Sequence, residues 1–336
     1  MVSSSTFFNP DTAPFLNPKT DRRVVLLTGG NSGIGWFTAL QLYLHGYVVY
    51  IGGRTESKVL KAIDEIKIEA KKRIEENYSN EQKASRPVGE LSFLFMDLLD
   101  LKTVNDAAEL FSKKESKLHI LINNAGLMGV PYEITKDGYE IQYQVNFVSH
   151  FLLILKLLPL LKNVAKQGKI EPRVINLSSI GHNFSYRYFH PSNKLNGFPF
   201  ALYTWYRYGN AKISAILGAK ELAKKEPEIL SIAVHPGIIL GTELYNYWKN
   251  MPVIGIFTRG LFRVADATIG VTVEQGSLAT LYSALDPSLT IKNDSGKYIE
   301  TGGKEGTPNR VAKSEKNQET TWDWNVDALH DRGFTW

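Results

Sequence analysis

Tyr208 and Lys212 stand four residues apart in the run Tyr208-Gly209-Asn210-Ala211-Lys212. On a helix this spacing puts both side chains on one face, a turn apart. A phenol has a pKa of about 10, so to exchange protons near neutrality it benefits from a neighbouring cation that favours the phenolate. Lys212 supplies that charge. The pair suits proton transfer to or from an oxygen, although this spacing also arises by chance in many helices. It gains meaning from a motif about 180 residues earlier, Thr28-Gly29-Gly30-Asn31-Ser32-Gly33-Ile34-Gly35. Glycines at such a turn let the backbone approach a pyrophosphate, which rests on the positive N-terminus of the next helix. Together the two motifs describe a redox site.

The elements that position these groups are legible around them. Arg23 to Thr28 is a short, nearly continuous apolar run, as expected of a parallel strand buried on both faces. Ile34 to Leu44, with Phe37, Leu40, Leu42 and Leu44, reads as a mostly buried helix that Gly46 stops in a left-handed conformation. Strands follow at Tyr47 to Gly52, Leu91 to Met96, His119 to Ile122 and Arg173 to Leu177. Between them lie helices at Thr55 to Glu76, Lys102 to Ser112 and Ile141 to Leu161, with a polar loop at Asn77 to Gly89. Asn146 falls in the middle of an apolar helix, where asparagine is unfavourable, so it is expected to have a local role.

About twenty residues past the glycine loop, a carboxylate would hold the ribose diol of NAD. The chain has Gly53-Arg54 there instead. The planar, permanently charged guanidinium of Arg54 suits a 2′-phosphate, with Lys58 one turn on as an assistant. These residues favour NADP(H) over NAD.

The glycine loop, Asp97-Leu98, Asn123-Asn124-Ala125-Gly126, Asn146, Asn176-Leu177-Ser178-Ser179, Tyr208-x-x-x-Lys212 and His235-Pro236-Gly237 occur in the order and approximate spacing of the short-chain dehydrogenase/reductases, which the chain resembles from residue 22 to about 305. The spacing of Gly29 and Gly33 is similar to the branch that holds retinol dehydrogenases and the WW-domain oxidoreductase, not the extended epimerase branch. Segments such as Ser178-Ser179-Ile180-Gly181-His182 and Thr301-Gly302-Gly303-Lys304 also resemble fungal oxidoreductases associated with lipid droplets and vacuole function.

The resemblance implies a Rossmann-type α/β fold: a doubly wound parallel sheet of about seven strands flanked by helices, in a single domain with a substrate lid. It assigns Tyr208 as acid and base, Lys212 and Asn146 as its support, and Ser179, rather than the still open Ser178, as the hydroxyl that meets the substrate oxygen. Asn146 would orient Lys212 through a water. Gly29, Asn31, Ser32, Gly33, Ile34 and Gly35 would cradle the nucleotide. Asp97 and Leu98 would flank its adenine, and Asn124, Ala125, Gly126, Tyr208 and Lys212 would line its middle. Pro236, Gly237 and Ile239 would shape the nicotinamide site. Thr242, expected at the carboxamide, stands one residue later than in many relatives. The 28 residues between Ser179 and Tyr208 exceed the usual linker and carry Phe184, Tyr186, Tyr188, Phe189, Phe198, Phe200, Trp205 and Tyr206. They could wall a lipophilic pocket or pack over the sheet edge.

The domain is expected over residues 22–305, between an extension at 1–21 and a tail at 306–336 whose Trp322, Trp324, Phe334 and Trp336 could dock on the body. Residues 238–273 form the expected lid, followed by a helix from Glu274 to Leu285 and a last strand from Gly296 to Glu300. Aromatic, aliphatic and basic residues alternate at 244–263 of the lid, which would wrap an apolar substrate or rest in a lipid surface. With 336 residues and 43% hydrophobic content, one such domain can fill its core.

A net charge of +5 lies mostly on helices that interleave acids, which is a solvated face and not a nucleic-acid footprint. Zero cysteines exclude a disulfide framework and thiolate metal sites and fit a reducing compartment. The seven histidines show no metal-ligand spacing. Pro10, Pro14 and Pro18 in a stretch without an apolar core argue against a secretory signal, and no apolar run reaches the 18 or so residues of a bilayer span. The expected protein is an NADP(H)-dependent oxidoreductase for a lipophilic carbonyl or alcohol such as a retinoid, steroid or aliphatic aldehyde, at a lipid-droplet surface or in the cytoplasm. The alternative is a catalytically idle, nucleotide-binding scaffold. A homodimer stays open.

Overall fold

Val24–Thr28, the first strand (β1), is buried along its whole length. In the computed structural model, which describes residues 7–192, 203–239 and 271–336, β1 lies inside an eight-stranded sheet of order β3-β2-β1-β4-β5-β6-β7-β8. The other strands are β2 (Val48–Gly53), β3 (Glu90–Phe95), β4 (Ile120–Asn123), β5 (Arg173–Leu177), β6 (Leu230–Val234), β7 (Tyr298–Glu300) and β8 (Lys304–Glu305). All pairings from β3 to β7 are parallel, and β8 adds an antiparallel edge strand beyond the seven expected.

Helices cover both faces because successive strand residues point to opposite sides. Val25 and Leu27 pack with α1 (Gly33–Leu44), α2 (Glu56–Asn77) and a later helix, Val273–Leu285. Val24 and Leu26 share the opposite core with α4 (Leu101–Lys114), α5 (Ile141–Ala165) and α6 (Thr204–Lys225). The Val273–Leu285 helix is α7, and the short Ile291–Asp294 helix is α8. Gly46, with φ +83°, ends the first βα unit as its position predicts. The order of the sheet reverses between β1 and β4, so their C-terminal ends splay apart into a crevice where ligands of such sheets bind.

Three differences from the sequence reading have local causes. The polar stretch 77–89 contains a helix, α3 (Asn80–Ser85), because Ser79 and Gln82 form a reciprocal capping box. Helix α5 runs on to Ala165 and widens into a π turn at Gln144–Val148, around Asn146. Although α5 is long and apolar enough to span a bilayer, 89% of that stretch is buried inside the protein. The tail folds as α9 (Arg310–Lys313) and α10 (Glu315–His330). Trp322 of α10 meets the Phe151 ring edge-on at 4.8 Å, and Asn325 donates to the Tyr143 hydroxyl at 3.1 Å, so the tail docks on α5. Thr242, Phe198, Phe200 and most of the expected lid lie outside the described residues.

Candidate active site

A cleft of about 850 Å³ opens at the C-terminal ends of the central strands. It gathers Gly29, Asn31, Ser32, Gly33, Ile34 and Gly35 from the first turn, Arg54 and Lys58 after β2, and Asp97 and Leu98 after β3. Asn124, Ala125 and Gly126 enter after β4, Asn146 from α5, Ser178 and Ser179 after β5, Tyr208 and Lys212 from α6, and Pro236, Gly237 and Ile239 after β6.

The glycine turn fits a nucleotide. Gly29 and Gly33 adopt φ +69° and +58°, which glycine takes without penalty. A Cβ on Gly35 would lie 2.2 Å from the Gly29 carbonyl oxygen, so the helix can approach the turn only without a side chain there. Ser32 at the N-cap of α1 makes no side-chain cap, leaving the first amides of the helix directed at the cleft.

Thr28, at the end of β1, organises this floor. Its Oγ1 accepts the main-chain N–H groups of Asn124 and Ala125, each at 3.0 Å, and lies 2.9 Å from His150 Nε2. With the oxygen already accepting twice, the hydroxyl donates to the histidine. Nδ1 therefore carries the ring proton and faces the Asn146 carbonyl oxygen at 3.5 Å. Burial pushes His150 down to about 3, in keeping with a neutral ring. Asn124 donates to the carbonyls of Thr28 and Gly29 at 2.8 and 3.2 Å, tying the ends of β1 and β4 together.

Asn146 is bonded to the loop after β4 and to its own helix. Its amide donates to the Leu127 and Gln142 carbonyls at 2.9 and 2.8 Å, and its Oδ1 accepts the Leu127 N–H at 3.0 Å. The side chain thus clamps the loop after β4 onto the π turn. Gly126 is enclosed by the same group: a Cβ there would lie 2.4 Å from Asn146 Oδ1 and 3.4 Å from Lys212 Nζ.

Lys212 is 5% exposed, and burial pushes its ammonium down to about 8. Its Nζ donates to the Leu177 carbonyl at 2.9 Å and sits 5.8 Å from the centre of the Tyr208 ring. Ser178 and Ser179, equivalent by type, are separated by their contacts. Ser178 Oγ is buried and donates to the Lys212 carbonyl at 2.8 Å, which fixes α6 against β5. Ser179 Oγ accepts the Gly181 N–H at 3.1 Å, which leaves its proton for another partner. Gly181, two residues after Ser179, has to be small, since a Cβ there would lie 2.6 Å from Tyr208 Cε1.

Sequence reasoning assigned no role to Thr28, His150, Gly181, His182 or His235. His150 carried a usable signal, one helical turn after Asn146 and hence on the same face. His235 accepts the N–H groups of Ile180 and Gly237 at 3.2 and 3.3 Å and so joins the loops after β5 and β6, a contact without local sequence signature.

This geometry agrees with the comparisons to known proteins. The short chain dehydrogenase family model matches residues 23–190. The chain is 33% identical to the short-chain dehydrogenase/reductase drtF of Aspergillus calidoustus over 95% of this chain and 97% of that protein. It is also 33% identical to mouse retinol dehydrogenase 12 over 95% of this chain and 89% of the relative. Among solved structures, the Pseudomonas aeruginosa RhlG/NADP active-site complex superposes with a TM-score of 0.58 at 21% identity, covering 84% of this chain and 95% of that one. The protein therefore belongs to the short-chain dehydrogenase/reductase family of oxidoreductases.

Proposed function

We propose that the protein is an NADP(H)-dependent carbonyl reductase or alcohol dehydrogenase for lipophilic substrates. The observation that carries this reading is the convergence of Tyr208, Lys212 and Ser179 with the glycine cradle in one cleft. The residues of the first turn, with Asp97, Leu98, Asn124 to Gly126, Pro236, Gly237 and Ile239, would hold the nucleotide, and Arg54 with Lys58 would pair its 2′-phosphate. The bound nicotinamide supplies or accepts the hydride. As the substrate oxygen gains charge, Tyr208 donates its phenolic proton to that oxygen and Ser179 donates a hydrogen bond to it. Lys212, charged beside the phenol, stabilises the phenolate left behind.

Apolar lining by Leu127, Met128, Val130 and Val145, and the Phe184 and Trp205 rings 5.7 Å apart beside the Ser179 turn, support a lipophilic substrate. The name of mouse retinol dehydrogenase 12 points the same way. Purified protein with NADPH and a panel of retinals, steroids, aliphatic aldehydes and quinones tests the reading. Turnover of one carbonyl, abolished in Tyr208→Phe, is expected; a protein that binds NADPH and consumes none is the scaffold instead.

A peripheral lipid-droplet or membrane location belongs to the same proposal. Ile180, Phe184 and Tyr186 are exposed on the segment that follows Ser179, with the Arg187 guanidinium 5.9 Å over the Tyr186 ring, a composition suited to a lipid interface. The double substitution Phe257→Asp with Phe262→Asp should release the protein from droplets; unchanged association would remove this part of the reading.

A further inference from the structure

Ser179 lies just after β5 and Tyr208 on α6, so two neighbouring residues of the cleft belong to different elements. Their separation must hold to a fraction of an ångström if both are to meet one oxygen. The turn that follows Ser179, the 3-10 segment Ile180–Phe184, is held from behind by His182, which is 2% exposed. His182 grips the Ser179 carbonyl twice, through its main-chain N–H at 3.0 Å and its ring Nδ1 at 2.7 Å. Its Nε2 lies 3.3 Å from the main-chain N–H of Asn309. An amide can only donate, so Nε2 is the acceptor and the ring proton is on Nδ1. Burial lowers the pKa of His182, which favours this neutral form.

Asn309 adds two bonds of its own. Its Nδ2 donates to the carbonyls of His182 and Ser185, both at 3.2 Å. Its Oδ1 meanwhile caps α9, accepting the N–H groups of Val311 and Ala312 at 3.0 and 3.2 Å. Val311 and Ala312 are buried in a small core with Ile213 and Ile216 of α6, the helix that carries Tyr208 and Lys212. One asparagine is thus bonded to the Ser179 turn and, through the helix it caps, packed on the helix of Tyr208. It lies outside residues 23–190, the part matched by the family model.

We infer that Asn309 and His182 form a positioning pair that sets Ser179 relative to Tyr208, making the carboxy-terminal segment a working part of the site. The inference rests on the reading that these two hydroxyls act on one substrate oxygen. Asn309→Ser and Asn309→Ala in the full chain test it. Serine keeps an N-cap oxygen and loses the two Nδ2 donors; alanine loses both functions. The expected result for Asn309→Ser is a kcat lower by about tenfold with the KM for NADPH unchanged. Amide exchange at Ile180 to Ser185 should quicken while that of α6 stays as it was. Asn309→Ala should show a similar kcat loss with a further drop in Tm. Wild-type kcat in Asn309→Ser, or a kcat loss that merely follows Tm across the two variants, overturns the inference. If the wild type consumes no NADPH with any carbonyl, the catalytic reading fails by itself and hydrogen exchange still decides the pair: unchanged protection of the Ser179 turn in Asn309→Ser discards it.

Discussion

Lys212 donates to the main-chain carbonyl of Leu177 at 2.9 Å, so the ammonium beside Tyr208 is anchored by the last residue of the strand that delivers the serines. The anchor holds the charge in place, and the burial that comes with it makes that charge costly. The pKa of about 8 expresses this cost.

Above about 8 the free enzyme loses the Lys212 charge, so kcat/KM for carbonyl reduction should fall as pH rises through that value. Arginine remains protonated to above about 12. Lys212→Arg should therefore lose the alkaline limb whatever its absolute rate. An identical limb in the variant would place the titrating group elsewhere.

The two serines should separate cleanly. Ser179→Ala removes a donor to the developing oxyanion and should lower kcat by about 10²- to 10³-fold with little change in Tm. Ser178→Ala removes the buried bond to the Lys212 carbonyl, costing about 1 kcal/mol of stability, with a smaller effect on turnover. Steady-state kinetics beside thermal melts decide it, and the reverse pattern would move the substrate contact to Ser178.

Arg54 and Lys58 line the cleft just after β2 and are exposed there. Arg54→Ala should raise the KM for NADPH by about tenfold or more, as loss of a charge-assisted pair of about 1.5–3 kcal/mol implies, and leave NADH unaffected. Equal Michaelis constants for the two nucleotides, unmoved by the substitution, would remove the NADP preference.

Acid should destabilise the fold through its buried histidines. Burial pushes His119 and His235 to about 4 and His150 to about 3. Each folded-state value lies below the unfolded value of about 6.5, so between the two the unfolded chain binds more protons and stability rises with pH. Going down, stability is lost from about pH 6.5 until the folded-state pKa is reached, by up to about 2 kcal/mol per histidine at pH 5. Urea midpoints measured from pH 7.5 to 5 check this; a flat profile would mean that these rings titrate in the folded protein as they do in the unfolded chain.

Much of the fold could be read along the chain. β1, α1 and β2 emerge within one or two residues of their expected ends because an apolar run, a glycine turn and a stop at Gly46 are local signals. The α3 helix was equally local, written in Ser79 and Gln82, and was hidden only by the polarity of its stretch. β8 had no such signal, since two exposed residues, Lys304 and Glu305, become a strand only through pairing with β7.

What the sequence determined by itself was the type and approximate place of the residues that share the cleft, since spacing along a helix or after a strand translates directly into a shared face or a shared sheet edge. Tertiary structure decided the rest. It separated Ser179 from Ser178, turned Asn146 toward Leu127, buried Lys212 and brought Asn309 against the Ser179 turn. Apart from the local Ser179–Gly181 bond, these contacts join residues 19 to 124 positions apart, and they exist only where parallel crossovers bring the strand ends side by side.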